Sequence, residues 1–157
     1  MNRFQRGVTT VEFAIIGLLL NVTVFGVFEL GRALFVMNTL TEATRRGARM
    51  AAVCPVGDPK AARVAVFDKG GGNSAIVAGL TTANVVVSYL DASGAPIASP
   101  ATPAGFGLIR YIRVSIVGFT QTLIIPTIMP SIPMNGFSTT LPRESLGIPR
   151  VGVVTAC

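Results

Sequence analysis

The chain has no histidine and no tryptophan, only two tyrosines and two cysteines, and charged residues make up just 13% of its 157 positions. Each shortage excludes something. Histidine is the usual general base and the commonest metal ligand. Without it, catalysis would rest on the acids. There are seven of these, and no pair beyond the N-terminal third has the helix or strand spacing of a carboxylate site. Neither Cys54 nor Cys157 has a metal-ligand partner nearby in sequence, which argues against zinc. The sequence therefore predicts no enzyme, no catalytic residue, no metal and no cofactor. Net charge is +6, but the basic residues form no dense patch interleaved with aromatics, so nucleic acid is not an expected partner.

What is abundant is apolar surface, at half of all residues. It is concentrated at the N-terminus. A short basic head with Arg3 and Arg6 leads to Gly7, then to Val8-Thr9-Thr10-Val11-Glu12-Phe13 and a long apolar run. An ordinary secretory signal has an apolar core of 7–15 residues followed by a small-x-small cleavage site. Here the run is much longer, so any cut would precede it and leave the anchor in place. Residues 1–7 read as a leader too short and too charged to fold.

No proline interrupts residues 8–53, and Pro55 disfavours helix at Cys54. One continuous helix is predicted over 8–53, roughly 69 Å at 1.5 Å per residue. A bilayer core needs only about 20 residues. Residues 13–36 are the predicted membrane span, and the remainder projects beyond it. Thr10, Ala14, Gly17 and Asn21 form a heptad-spaced stripe of small or polar residues, a pattern that lets helices pack closely in lipid. Near the outer end, Glu29 and Arg32 lie one turn apart and can form an intrahelical ion pair, with Arg32 able to snorkel. The second half is amphipathic. Leu30, Ala33, Met37, Leu40, Gly47 and Ala51 mark an apolar side; Glu42, Arg45, Arg46 and Arg49 mark a charged one. These arginines, with Arg32 and Arg63, read either as ordinary solvated charge or as contacts to anionic membrane lipid.

Residues 54–157 are expected to form one small α+β domain on an antiparallel β-sheet. Asp58-Pro59 reads as a helix N-cap followed by proline at the first helical position. The helix should run to about residue 68, with Val64 and Phe67 as its apolar contacts. The glycines at 70–72 resemble a phosphate-binding loop only superficially, because the Lys-Ser/Thr ending is missing; a flexible loop is expected. Strands are expected at 84–90, 108–117, 137–141 and 151–155, with 91–105 a loop. In the second of these, Ile112, Val114 and Ile116 should face the core. Residues 121–134 are apolar but broken by three prolines, which excludes a central strand. That stretch could touch the membrane surface or a neighbour, or pack beneath the sheet. Cys54 and Cys157 read as one disulfide in an exported chain, or as two separate thiols.

The N-terminal third resembles the TadE-like pseudopilin family of the tight-adherence (Flp) pilus system, whose members look like type IV pilin precursors. The residues that carry the resemblance are Gly7, Glu12, Phe13, the segment from Glu29 to Leu34, and Arg46-Gly47-Ala48-Arg49. The resemblance implies cleavage by a prepilin peptidase between Gly7 and Val8, with Glu12 and Phe13 as part of the recognised site. It also implies that Glu12 faces the new Val8 amine, in its own or a neighbouring subunit. Implied partners are other pilins or pseudopilins, the prepilin peptidase, the inner-membrane assembly platform and membrane lipid. The implied location is the bacterial inner membrane, single-pass, with a periplasmic C-terminal domain, and the extracellular pilus for incorporated subunits. The role implied is that of a minor pseudopilin in pilus assembly and adhesion. Counting positive charges close to the span gives the opposite orientation, since Arg45, Arg46 and Arg49 soon follow it; the cysteines favour an oxidising compartment for the domain. The alternative function is an uncleaved single-span protein whose periplasmic domain binds a partner.

Overall fold

A computed structural model describes residues 5–124, 131–148 and 157. The chain divides into two compact units, Met1–Phe35 and Val36–Cys157. Helix α1, Gln5–Val53, supplies residues to both. The second unit adds α2 (Lys60–Ala65), a 3-10 turn (Thr82–Asn84), β1 (Val85–Leu90), α3 (Pro103–Leu108), β2 (Tyr111–Ile116), β3 (Thr120–Thr122), β4 (Ser131–Pro133) and β5 (Ser138–Pro142). This is an α+β architecture: a long apolar N-terminal helix followed by a small antiparallel sheet domain.

Strand β2 is central, with β1 on one side and β5 on the other, both antiparallel. The register pairs Val87 with Val114 and Tyr89 with Ile112 on one side, and Val114 with Thr139 and Ile112 with Leu141 on the other. Alternation puts these residues on one face. They meet Ala48, Ala51 and Ala52 of α1 and Ala61 of α2 in a core completed by Ile109 and Leu146. The small residues of α1 let backbones approach closely. A Cβ on Gly47 would lie 2.9 Å from the Ala65 Cβ and 3.2 Å from Val114 Cγ1, so α1 meets α2 and the sheet at a point with no room for a side chain. Thr44, buried, donates to or accepts from Thr139 Oγ1 at 2.9 Å and so ties the helix to β5.

The C-terminal end of α1 is closed from a distance. Cys54 N–H makes the last helical bond, to Met50. Glu144 and Leu146 then donate to the Ala52 carbonyl, and Gly147 and the Ser145 hydroxyl donate to Val53. These contacts occupy carbonyls that a helix leaves without partners. Gly147 has φ +77° and packs where a Cβ would meet Pro55, 2.8 Å from its Cδ; no other residue type satisfies both conditions without strain.

Several expectations need correction. Helix α1 begins at Gln5, so the last part of the expected leader is helical. Its buried face is Val36, Leu40, Ala43, Thr44, Gly47, Ala48, Ala51 and Ala52, whereas Leu30 and Met37 are exposed. Pro59 occupies the N-cap of α2, and Asp58 Oδ1 accepts from Lys60 N–H instead. That helix ends at Ala65 and buries Ala61 and Ala65, not Val64 and Phe67. Phe67 lies at φ +57°, leaving the helix by a left-handed step. Residues 103–108 are helix α3 rather than loop and strand, because Thr102 caps the Gly105 N–H and Pro103 starts the turn. Strand β2 accordingly starts at Tyr111, and Ile112, Val114 and Ile116 are its buried residues. The ends of the proline-broken stretch pair with each other as β3 and β4, separate from the main sheet. Its residues 125–130, and the strand expected at 151–155, lie outside the described residues.

Two predictions concern this domain. Gly47→Val should destabilise it by about 1–3 kcal/mol, the cost of overpacking a closed contact; denaturant melts followed by circular dichroism measure it. Tyr89 is buried, and its hydroxyl accepts from Gly57 N–H at 3.2 Å. Burial raises its pKa above 10.0; the charge of Asp58 adds to this and the Gly57 hydrogen bond opposes it. A folded pKa above the unfolded one gives stability that is complete below pH 10 and lost as pH rises through the folded value. Alkaline melts should show that loss in the native protein and not in Tyr89→Phe.

Candidate functional site

The first unit contains the residues singled out by the sequence. Along α1 from Gly7, nearly every apolar side chain is open to the surroundings: Val8, Val11, Phe13, Ile15, Ile16 and onward to Phe35. Residues Gly7–Val53 include a segment of mean hydropathy 2.2 with none of it buried, long and apolar enough to cross a membrane. Such a surface fits lipid, because the helix satisfies its own backbone and needs no other polar partner.

Glu12 and Phe13 lie on this exposed surface, Phe13 at 77%. Gly7 has open space where a Cβ would be. Helical packing therefore does not require glycine at this position, although glycine weakens a helix by about 1 kcal/mol relative to alanine. It lies in the first turns of α1, where a helix frays most easily.

Thr10, Ala14, Gly17 and Asn21 come to one face of the helix. Asn21 Nδ2 donates to the Gly17 carbonyl at 2.8 Å, and Thr23 Oγ1 to Leu19 at 2.8 Å. Both polar side chains are thus satisfied one turn back, which lowers the cost of placing them in an apolar medium. Glu29 and Arg32 are brought together: Arg32 Nη2 donates to Glu29 Oε1 at 2.5 Å, and Nε to the same oxygen at 3.2 Å.

The second unit presents a different chemistry. Arg45, Arg46 and Arg49 of α1 are exposed, and the Arg46 guanidinium lies 4.6 Å over the Phe67 ring. Beside it is a cleft of about 440 Å³ lined by Asp58, Lys60, Arg63, Asp68 and Lys69 among others. Its charges are largely engaged. Arg63 faces Asp68 at 3.6 Å, Asp68 also accepts from Gly70 N–H, and Lys60 Nζ donates to the Cys157 carbonyl. No grouping of three or more acidic or cysteine side chains suited to a metal occurs among the described residues. Sequence reading missed the Arg46–Phe67 contact and this cleft. Both depend on the left-handed turn at Phe67, which nothing in the local sequence signals.

The structure joins Cys54 to Cys157 as a disulfide with Cα atoms 5.6 Å apart, closing a separation of 103 residues. The Cys54 end is fully buried. Replacing both cysteines by alanine should cost about 2–5 kcal/mol, the usual range for a native disulfide in a small domain. Thermal melts of the oxidised protein, the reduced protein and the double variant test this; equal stability of all three would show that the bond constrains nothing.

Comparison with known proteins adds one finding. Residues 7–49 match the family model described as TadE-like protein. The match starts at Gly7 and ends within α1, before Cys54 and the sheet. It agrees with the resemblance read from Gly7, Glu12, Phe13 and the arginine-rich end of the helix. No curated protein and no solved structure matches the chain.

Proposed function

We propose that this TadE-like chain is a minor pseudopilin of a tight-adherence pilus: a single-pass membrane protein, cut after Gly7 and used in pilus assembly. The observation that carries the reading is the family match over residues 7–49, laid on a helix that is long and apolar enough to cross a membrane and whose apolar side chains are exposed. A membrane anchor alone has no need for a glycine before its first apolar residue, nor for a carboxylate five positions later.

In this reading Gly7 provides the small residue at the cut, and Val8 becomes the mature N-terminus. Glu12 then has a partner of opposite charge in the new Val8 amine, on its own or an adjacent subunit. A carboxylate in apolar surroundings is costly alone and tolerable when paired, so the pairing favours one axial register between neighbours. The stripe of Thr10, Ala14, Gly17 and Asn21 provides close helix packing in the same layer. Partners are other pilins or pseudopilins, the prepilin peptidase and the inner-membrane platform. The disulfide-closed domain lies on the periplasmic side, and adhesion is the consequence for the cell.

The test is the intact mass and N-terminal sequence of membrane-extracted protein made with and without the prepilin peptidase. A chain beginning at Val8 only when the peptidase is present supports the reading, and Gly7→Val should block that cut. An uncut chain in both conditions overturns it in favour of a plain anchored periplasmic binding domain. Glu12→Ala should leave cleavage largely intact but lower recovery of the protein in pilus fractions by on the order of tenfold, as loss of a buried charge pairing implies.

A further inference from the structure

The uncharged part of α1 is too short for the membrane it is expected to cross. Between Glu12 and Glu29 lie residues 13–28, about 24 Å of helix. A bilayer core is about 30 Å thick. One of the two carboxylates must therefore enter the hydrocarbon, or the bilayer must thin. Extension past Glu12 would carry in an exposed carboxylate with no basic residue one turn away on either side. Extension past Glu29 carries in a carboxylate already closed against Arg32.

The geometry of that pair supports the second choice. Helical side chains lean toward the N-terminus of their own helix. Arg32 follows this lean: its Nε and Nη2 both point back to one oxygen of Glu29. The guanidinium is thus turned toward the middle of the span and away from the interface that snorkelling would need. The pair is also part-buried, at 32% and 19% side-chain exposure for Arg32 and Glu29, beside Leu30 and Leu34 at 62% and 52%.

We infer that the Glu29–Arg32 pair lies inside the bilayer as a neutral unit and sets the depth of the anchor, with the hydrocarbon core extending past Arg32 and Glu12 held at the opposite boundary. The inference rests on the membrane-spanning reading of α1 but not on cleavage or pilus assembly. The ligand environment is lipid acyl chain, and Arg32 acts as a positioning residue through Glu29. After the pair, residues 33–35 continue uncharged to the start of the second unit at Val36, so residues 13–35 provide about 34 Å of helix for the core.

The test uses the full, uncut chain in phosphatidylcholine nanodiscs, which expose both faces. A single added cysteine, Leu34→Cys or Asn38→Cys, is labelled with a water-soluble maleimide; the native cysteines are bonded to each other. Residue 34 should label on the order of tenfold more slowly than residue 38. Arg32→Gln removes the counter-charge of Glu29, and the cost of an unneutralised charge in hydrocarbon should draw the helix outward. Labelling at residue 34 should then rise by on the order of tenfold. The neutral double variant, Glu29→Gln with Arg32→Gln, should restore slow labelling, which a merely structural role for Arg32 would not do. Equal rates at 34 and 38 in the otherwise native chain would place the pair at the interface and overturn the inference. So would an Arg32→Gln variant that labels like the parent. Because no peptidase is present, either result is independent of the cleavage test above.

Discussion

A helix leaves its last carbonyls without donors, and the domain is built around how those of α1 are satisfied. The donors come from residues about ninety positions downstream. Glu144, Ser145, Leu146 and Gly147 converge on Ala52 and Val53. Pro55 stops the helix, Gly147 packs against Pro55 where no side chain fits, and the Cys54–Cys157 disulfide locks the same point. Together these features attach the C-terminal part of the chain to the end of the helix. The sheet is thereby held across the alanine-rich face that Ala48, Ala51 and Ala52 present. Buried apolar area alone would favour many such arrangements; the directional bonds at the helix end select one.

The same helix meets two sets of physical demands along its length. In the first unit, polar side chains bond back to their own helix, as Asn21, Thr23 and Arg32 do, and apolar side chains are open. In the second unit, small residues are buried and arginines are exposed. The first pattern suits a medium without hydrogen-bonding capacity. The second suits water on one side and a packed core on the other. The membrane reading and the domain reading are therefore parts of one argument about solvent, and the TadE-like match over residues 7–49 takes in both patterns.

Function, in the reading proposed here, needs no catalytic apparatus in the chain. On that proposal Gly7 would be a substrate feature for another protein's chemistry, and Glu12 would gain its partner once that chemistry had produced an amine. The folded domain contributes shape and durability. On its basic surface Arg46 lies over the Phe67 ring, and the cleft lined by Arg63 and Asp68 holds those two charges facing one another.

By itself the sequence determined the long helix, its apolar exposure, its end at Pro55 and the central strand's alternation at Ile112, Val114 and Ile116. All of these depend on periodicity or on the backbone limits of single residues, which are local. Helix α3 was missed because a run of Pro, Ser, Ala and Gly has weak propensity in any state; the Thr102 cap and the closeness of Ser99 to Gly105 decided it. The early end of α2 was missed because Phe67 takes a left-handed conformation that its side chain disfavours, and the contact with Arg46 accompanies it. Only the tertiary structure decided the capping of α1 by residues 144–147, the fit of Gly47 against Ala65 and Val114, and the pairing of Cys54 with Cys157. Each joins positions far apart in the chain, where local preference carries no information about the partner and geometry alone brings the groups within bonding distance.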